Sequence, residues 1–474
     1  MLTVSVLIVC FGDTLGRWLG PYGGVILVCV VCASIWWPMR ALGSRVDVAN
    51  VLVMFVAYYF LMFGLYGFMN AFGMSHYLGV TYNPTGDSSV NLSALASVYA
   101  ASVLLAVYAG YCWNERGQNP SELTAHSDRK VLSRLNLRNL PRLQVSAILA
   151  LVASYAGCAM MIVFLGGSSI IGRDPSYVST GGTHGLYWAQ ALIWANHWAI
   201  VVNIFSFLNT RKKKYLILSA LSVPLFLLEF MLSGSKSAIL FPLMGFLIVR
   251  HYSYKRIRWR TLAALTVTVL VVFAMGYAYR SSGSQTSEFG QGVASYYQDP
   301  MVLMQTVVGR FYGTDAFAIV LDTMQNGRPL LMGGSFSELL TWYIPRWVWP
   351  GKPLSFSLTF GEEFMGSAPG AGDVYYSPSL PGELYLNFGR VGLLFGGVGI
   401  GYLLRTIYRR MIEREPRRIE EVVVYAVIGP LAASLSGGPI GVIVEFMLTR
   451  IILFALLFWI AGMISGRALR QTLS

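Results

Sequence analysis

The chain has 474 residues, of which 55% are hydrophobic and 12% are charged, and its mean hydropathy is +0.57. A soluble domain carries about 25% charged residues, so this composition excludes a soluble globular protein and indicates a polytopic membrane protein. The net charge is +13, but 25 of the 35 Lys and Arg lie in six short segments beside apolar runs. This positive-inside pattern accounts for the charge without a nucleic acid partner.

The apolar segments predict the transmembrane helices. Leu2–Phe11 is short for a crossing, which needs about 20 residues, and Gly- and Pro-containing sequence separates it from Val25–Trp37. Further spans are predicted at about residues 48–69, 92–112, 143–165, 187–209, 215–232, 238–250, 261–279, 384–404, 422–438 and 441–465. The fold class is therefore an all-α polytopic membrane protein with about 11–12 transmembrane helices, depending on whether Leu2–Phe11 crosses.

Six basic segments set the predicted topology: Arg40–Arg45, Arg116–Arg142, Arg211–Lys214, Arg250–Arg260, Arg405–Arg418, and Arg467 with Arg470. Alternating sides through the spans places all of them in the cytoplasm, and with the larger span count both termini are cytoplasmic. The chain then divides into an N-terminal bundle (1–279), a large outer loop (280–383) and C-terminal transmembrane helices (384–474). The loop is predicted to lie on the outer face of the membrane.

The outer loop is too rich in Trp, Tyr and Phe to be typical of a disordered segment. Helical spacing of apolar residues extends from Asp299 to Met324, and a second short helix is predicted at Phe336–Tyr343. Four aromatic residues then crowd around two prolines: Trp342, Tyr343, Trp347 and Trp349. Such a cluster suits the headgroup depth of a bilayer, so we expect the loop to lie against the membrane surface.

Cationic residues on the predicted outer side form a second pattern: Arg173, Lys236, Arg280, Arg310, Arg328, Arg346 and Lys352. Arg450 joins them from the last span, where it is expected to face the bundle interior. Arginine presents a planar fork of donors that matches phosphate oxygens. Pairing with nearby acids is the alternative for each residue taken singly. As a set, these cations predict a site for a diphosphate headgroup whose lipid tail stays in the bilayer.

Two blocks of the loop carry a family resemblance. Residues 344–353 are IPRWVWPGKP, and residues 377–389 are SPSLPGELYLNFG, directly before a Gly-rich span. Their order and spacing resemble the Wzy-type repeat-unit polymerases of O-antigen, enterobacterial common antigen and exopolysaccharide pathways. The turn Ser233–Lys236 is similar to a turn of the same family. The motif resemblance covers about residues 230–450, and the layout of spans covers the whole chain.

The resemblance implies a metal-independent glycosyltransferase of GT-C-like architecture in the bacterial cytoplasmic membrane. Such enzymes polymerise undecaprenyl-diphosphate-linked oligosaccharide repeat units on the outer face. The implied partners are the carrier-linked donor and acceptor, the lipid bilayer and a chain-length regulator protein. No cofactor is expected, and the sequence has no DxD-like pair or other metal motif.

Three other functions remain as alternatives. An O-antigen-type ligase shares the architecture, but a relative of that class is expected to use a histidine in the large outer loop, which has none. A carrier-lipid flippase or other transporter predicts ionisable residues spread through the bundle. A scaffold protein is the remaining possibility.

Glycosyl transfer to a hydroxyl group needs a base that accepts the hydroxyl proton. Because the loop lacks histidine, carboxylates are the candidate bases: Glu383, Asp299 and Asp315. Glu383 lies where the loop re-enters the membrane, whereas the two aspartates lie close to Arg310. The sequence leaves the choice among the three open.

Overall fold

The computed structural model describes residues 1–41, 47, 49–71, 88–113, 135–164, 187–233, 237–254, 257, 308, 311–344, 348–349, 351–353, 355–364, 376–414 and 417–472. Its helices are α1 (Leu2–Ala41), α2 (Val51–Tyr59), α3 (Tyr66–Ala71), α4 (Ser88–Trp113), α5 (Leu140–Phe164), α6 (Tyr187–Thr210), α7 (Lys213–Ser233), α8 (Ser237–Ser253), α9 (Gly313–Gln325), α10 (Glu338–Thr341), α11 (Phe356–Phe364), α12 (Ser379–Tyr408), α13 (Ile419–Ser434) and α14 (Ile440–Thr472).

Short irregular elements connect some of these helices. A π-helical segment, Phe60–Leu65, joins α2 to α3, and a second one, Arg409–Glu413, follows α12. A 3-10 turn, Gly334–Ser337, leads into α10. Two short strands, β1 (Leu135–Asn136) and β2 (Arg417–Arg418), pair in parallel and tie α5 to α13.

Within the described residues, 7 helical segments are long and apolar enough to cross a membrane: Leu2–Gly20, Val51–Ala71, Leu92–Trp113, Leu140–Val163, Trp188–Thr210, Ser379–Glu413 and Ile440–Ser465. The protein is therefore an all-α polytopic membrane protein. The predicted spans 215–232, 238–250 and 422–438 form the helices α7, α8 and α13, which are shorter or less apolar. The predicted span 261–279 lies outside the described residues.

The N-terminal segment differs from the prediction, because its helix continues past Phe11 to the non-helical Gly20, whose φ is 63°. The glycines that suggested an early break permit close packing on α4 instead. A Cβ on Gly12 would lie 2.2 Å from the Tyr99 ring, and one on Gly16 would lie 3.2 Å from the Leu95 backbone. A side chain at either position would separate the two helices.

The most buried candidate span is Leu92–Trp113 of α4, which packs against both α1 and α12. Buried hydrogen bonds connect it to its neighbours. The Tyr59 hydroxyl donates to the Ala100 carbonyl (2.7 Å), and the Ser5 hydroxyl donates to the Ser102 carbonyl (2.8 Å). Because each donor is satisfied by a carbonyl of α4, these polar groups are accommodated inside an apolar bundle.

The loop region is partly helical, as predicted, but the element boundaries differ. Part of the helix predicted from Asp299 to Met324 is α9, which begins only at Gly313, after the non-α-helical Phe311 and Tyr312; residues 299–307, 309 and 310 lie outside the described residues. A Cβ at Gly313 would lie 3.1 Å from Met62 of the π-helical segment, so the start of α9 packs closely on that segment. Helix α12 begins five residues before the predicted span, and Gly389 (φ 61°) kinks it.

A polar cluster ties four segments together at the end of the bundle where α8 and α12 finish. Asp47 accepts hydrogen bonds from the Tyr252 hydroxyl (2.7 Å) and the Tyr408 hydroxyl (2.6 Å), and His251 Nε2 lies 2.9 Å from it. The Ile257 N–H donates to His251 Nδ1 (3.1 Å). Burial alone would raise the pKa of Asp47, but His251 and the two tyrosine hydroxyls lower it to about 2.

We expect Asp47→Ala to destabilise the protein by roughly 3 kcal/mol, because three buried donors lose a charged acceptor. Since the pKa of Asp47 is depressed, its stabilising effect is present above the unfolded value of about 3.9 and is lost as pH falls towards 2. Thermal unfolding of purified protein in detergent at pH 7 measures the effect. Asp47→Asn, which keeps an acceptor oxygen, is the control and should lose less; equal melting temperatures for wild type and Asp47→Ala would contradict a structural role.

Candidate functional site

Eight of the predicted site residues lie in the described part of the chain: Asp315, Glu383, Arg328, Lys352, Arg450, Trp342, Tyr343 and Trp349. Of these, Arg328 forms an ion pair with Glu363. The others lie outside the described residues: Asp299, Arg173, Lys236, Arg280, Arg310, Arg346 and Trp347. The described contacts divide the candidate carboxylates between two separate centres, one around Asp315 and one around Glu383.

Asp315 lies in the first turn of α9 and contacts the end of the span that contains α2 and α3. The Tyr66 hydroxyl donates a short hydrogen bond to Asp315 Oδ2, and Asn70 Nδ2 donates to Oδ1 (2.7 Å). Tyr66 and Asn70 are four residues apart on one helix, a spacing that puts both on the same face. The two donors thus fix the orientation of the carboxylate, which is only partly buried.

Burial raises the pKa of Asp315 to about 6, although the hydrogen bond from Tyr66 lowers it in part. A carboxyl group with this pKa is mostly ionised at neutral pH, and its conjugate acid forms readily. Efficient general bases have pKa values near the working pH. Of the candidate carboxylates that the structure describes, Asp315 therefore has the properties that proton transfer requires.

Glu383, in the first turns of α12, is fully buried and both of its oxygens are occupied. The Ser335 hydroxyl donates to Oε1 (2.8 Å), and the Ile440 N–H donates to Oε2 (2.6 Å). Ile440 is the first residue of α14, so the carboxylate satisfies an N–H at a helix start and interacts favourably with the helix dipole.

Asn387, one turn after Glu383, completes this network. Its Nδ2 donates to Ser335 Oγ (2.7 Å) and to the Glu383 carbonyl (2.8 Å), while its Oδ1 accepts from the Gly333 N–H (3.0 Å). The Met332 N–H also donates to the Asn387 carbonyl (3.0 Å). The loop segment before α10 is therefore attached to the start of α12, and Glu383 joins both to α14. These contacts favour a structural role for Glu383 over the predicted role as a base.

A second acidic residue, Glu338, lies at the same start of α14. Its Oε2 accepts from the Phe356 N–H (3.4 Å) and would lie 3.8 Å from a Cβ on Gly441. Burial raises the pKa of Glu338, while the Phe356 N–H and the charge of Lys352 lower it in part. Lys352 is thus close enough to affect Glu338, and its Nζ donates to the Trp342 carbonyl (3.1 Å).

Arg450 is buried in α14, as expected for a residue that faces the bundle interior. Its guanidinium carbon lies 4.8 Å from the centre of the Trp194 ring of α6, and its Nη1 donates to the Phe446 carbonyl (3.4 Å). An arginine guanidinium is charged at any physiological pH, and an aromatic face attracts it electrostatically. Arg450 therefore supplies a fixed positive charge between α6 and α14.

The aromatic residues of the loop are partly accessible. Tyr343 and Trp349 expose large parts of their rings, and Trp342 packs against Tyr343 and against Trp188 at the start of α6. The predicted aromatic cluster is therefore divided: Trp342 packs against the bundle, whereas Tyr343 and Trp349 are exposed. Trp347 lies outside the described part of the chain.

Several polar residues were missed by the sequence analysis. Tyr66, Asn70, Ser335 and Asn387 hold the two carboxylates, and only the spacing of Tyr66 and Asn70 signals a shared face. Two further pairs join helices. His197 Nε2 of α6 lies 3.3 Å from Glu229 Oε2 of α7, and Arg390 of α12 forms an ion pair with Asp13 of α1.

In comparisons with protein-family models, curated proteins and solved structures, none matched this chain.

Proposed function

We propose that the protein is a membrane glycosyltransferase that polymerises undecaprenyl-diphosphate-linked oligosaccharide repeat units at the outer face of the bacterial cytoplasmic membrane. The observation that carries the proposal is Asp315, an oriented and partly accessible carboxylate with a pKa of about 6 at the edge of an apolar helical bundle. The two loop blocks at residues 344–353 and 377–389 supply the resemblance that specifies the reaction.

In the proposed reaction, Asp315 accepts the proton of the acceptor hydroxyl. The hydroxyl oxygen bonds to the anomeric carbon of the donor glycan as the bond from that carbon to the diphosphate oxygen breaks. The diphosphate leaves with the bonding electrons, and cationic side chains bind its oxygens. Arg450 supplies one fixed positive charge, and the sequence adds Arg280, Arg310 and Lys236 as candidates. No step requires a metal ion.

A carrier-lipid transporter is a second candidate, and one observation favours it. The His197–Glu229 pair is buried between α6 and α7 within the helical bundle, and His197 stacks on Phe226 with ring centres 5.5 Å apart. Ionisable residues inside a membrane bundle often belong to proton or substrate pathways. A structural pair is the alternative, since each group would be costly to bury alone.

The test incubates purified protein in lipid vesicles with synthetic undecaprenyl-diphosphate repeat units as both donor and acceptor. We expect a ladder of glycans on a gel, because each transfer adds one unit to a carrier-linked chain. Persistent single units would contradict the polymerase proposal, and movement of intact carrier units across the bilayer would favour the transporter. Asp315→Asn protein in the same vesicles is the matched control, because any ladder that it forms arises without the candidate base.

A further inference from the structure

A line of polar side chains lies on the face of α6 that meets α5 and α7. Asn196 and Asn203 are fully buried and seven residues apart, so they share one face of α6, about 10 Å apart along its axis. Asn196 Nδ2 donates to the Ser222 carbonyl of α7 (3.0 Å), and Ser206 Oγ accepts from Gln144 Nε2 of α5 (3.3 Å). We call these five residues, Asn196, Asn203, Ser206, Ser222 and Gln144, the polar stripe.

Several polar atoms of the stripe are buried without a hydrogen-bond partner among the described residues. They are Asn196 Oδ1, both side-chain polar atoms of Asn203, and the Ser222 hydroxyl. An unpaired polar group in an apolar interior costs free energy, and buried water is the usual partner of such groups. Asn203 offers both donors and an acceptor, so it can bond to more than one water. The stripe therefore has the polar groups that hold a row of water molecules inside the bundle.

Next to the stripe lies a buried pair of ionisable side chains. His197 follows Asn196 directly, and its Nε2 lies 3.3 Å from Glu229 Oε2 of α7. The exposed fractions of the two side chains are only 4% and 10%. Histidine is the side chain whose charge changes most readily near neutral pH. Beside a carboxylate, its imidazole can bind a proton inside the bundle without leaving an unpaired charge.

The opposite end of the stripe reaches the surface of the bundle. Gln144 is only partly buried, and α6 ends just before the exposed Arg211 and Lys212. From Asn196 to Ser206 the helix rises by about 15 Å, which is half the hydrocarbon thickness of a bilayer. The stripe therefore connects the buried pair with an end of the helices that carries exposed charged residues.

Helices α5, α8, α13 and α14 also pack against α6 and carry ionisable groups. From α5, the Cys158 thiol lies close enough to Glu229 to be influenced by its charge. From α14, Arg450 lies over the ring of Trp194, one turn before the pair, and Glu445 is buried nearby. The charged residues of α8 and α13 lie towards the Gln144 end instead: Arg250, His251, Glu420 and Glu421. At the level of the pair, the imidazole is therefore the described group that changes charge most readily near neutral pH.

We propose that the His197–Glu229 pair is a proton-binding site and that the polar stripe connects it to solvent. The proton passes from water to water along Asn203 and Asn196, binds to an imidazole nitrogen of His197, and leaves by the same route. The path needs no other reactant. The inference does not depend on the polymerase proposal, because proton binding to the pair requires no glycan substrate.

A metal ion fits the stripe less well than a row of waters. Hard cations such as Ca²⁺ take about 6–8 oxygen ligands in one shell, whereas Asn196 and Asn203 are about 10 Å apart along the helix. Within the described part of the chain, no group of three or more His, Cys, Asp or Glu residues could hold a metal ion. The spread of the polar atoms therefore favours water and protons.

Magnetic resonance of protein with isotope-labelled histidine, in detergent, tests the site. The signal of His197 is identified by its loss in His197→Gln protein. We expect the wild-type signal to move from the imidazolium to the neutral position between about pH 5 and pH 8. In Glu229→Gln protein the imidazolium should be about tenfold less populated at equal pH, because the carboxylate no longer stabilises it. A signal that stays at one position throughout, or an unchanged population in Glu229→Gln, would overturn the site.

Exchange of the His197 ring N–H in deuterium oxide tests the path. Asn203→Leu replaces an unpaired amide by an apolar side chain of similar volume, so the fold should be kept. We expect about tenfold slower exchange, because water in the stripe loses its partners on this side chain. Ser222→Ala removes only one unpaired hydroxyl and should slow exchange in the same direction, even if Asn203→Leu folds poorly.

Asn209→Leu is the matched control on the same helix. Asn209 Nδ2 donates to the Phe205 carbonyl (2.9 Å), so this amide belongs to α6 itself, and its replacement should leave the exchange rate unchanged. Equal rates in wild type, Asn203→Leu and Ser222→Ala would overturn the path. Equal slowing in Asn209→Leu would also overturn it, since altered packing of α6 would then explain the effect. Neither measurement uses glycan ladders, so failure of the proton site and failure of the polymerase proposal are distinguishable.

Discussion

Asp315→Asn is expected to lower the rate of glycan polymerisation by about 10²–10⁴-fold, the usual contribution of a positioned base. The fold should be unaffected, because Asn accepts from one of the two donors and the Tyr66 hydroxyl can rotate to accept from the new amide. Burial raises the pKa of Asp315 from 3.8 to about 6, so the ionised form is disfavoured in the folded protein. The neutral variant should therefore melt at the same or a higher temperature at pH 8.

The sign of the pH dependence follows from the raised pKa. The wild-type protein loses stability as pH rises from the unfolded pKa through about 6, because Asp315 ionises in a partly buried site. A base works only when it is ionised, so the polymerisation rate should fall as pH drops below about 6. Asp315→Asn should remove both dependences. Polymerisation rates and melting temperatures measured from about pH 5 to pH 9 test both expectations: as Asp315 ionises, the rate should rise and the melting temperature should fall.

Tyr66→Phe is the companion variant for the same site. It removes the hydrogen bond that lowers the pKa of Asp315, so the acid limb of the rate profile should move to higher pH. Tyr402→Phe, at an exposed position on α12, is the matched control and should leave the profile unchanged. Full-length ladders from Asp315→Asn protein, or an acid limb that does not respond to Tyr66→Phe, would exclude Asp315 as the base.

The partners of Asp315 show where sequence reasoning reaches its limit. The residue was among the candidate carboxylates because it lies in a helical stretch near arginines. Its donors, Tyr66 and Asn70, lie 249 and 245 residues earlier in the chain. A four-residue spacing predicts that these two share a face, but no local pattern identifies the helix opposite them. Contacts of this kind depend on how spans pack, which hydropathy does not encode.

Hydropathy predicted the spans best where apolar residues are continuous. The span predicted at residues 143–165 corresponds closely to the candidate span Leu140–Val163. Hydropathy left the crossing of the first segment open and ended its helix too early, since glycine is common both in helix breaks and in close helix contacts. Gly12 packs against Tyr99 inside a helix, whereas Gly20 ends a helix with a positive φ. The residue type is the same in both places, and only the neighbouring helix α4 distinguishes them.

The sequence did not decide whether Glu383 is the base, and its contacts in the structure favour a structural role. Its place within the second loop block, where the loop re-enters the membrane, made it a candidate base. In the structure its two oxygens accept from Ser335 and from the first N–H of α14. Glu383 is fully buried, so a substrate hydroxyl cannot reach its oxygens in this structure, whereas Asp315 is partly accessible.

Two substitutions of Glu383 separate a structural role from a catalytic one. Glu383→Ala should destabilise the protein by roughly 3 kcal/mol or more, because the Ile440 N–H and the Ser335 hydroxyl lose their buried acceptor. Glu383→Gln keeps one acceptor oxygen for Ile440 and a donor for Ser335, so it should retain most of the stability and most of the polymerisation rate. Melting temperatures in detergent and ladder assays in vesicles measure the two quantities.

Losses of stability and of activity in the Glu383 variants, compared with those in Asp315→Asn, distinguish a structural from a catalytic role for Glu383. If Glu383 is structural, the Ala variant loses stability and activity together while the Gln variant keeps both, whereas Asp315→Asn loses activity alone. A stable Glu383→Gln protein that forms no ladder would instead make Glu383 the base. Ser335→Ala sharpens the comparison, since it removes the donor to Glu383 Oε1 and the acceptor of Asn387 Nδ2 but leaves the bond to Ile440. We expect it to cost about 2 kcal/mol, the usual net value of two buried hydrogen bonds, with little change in rate.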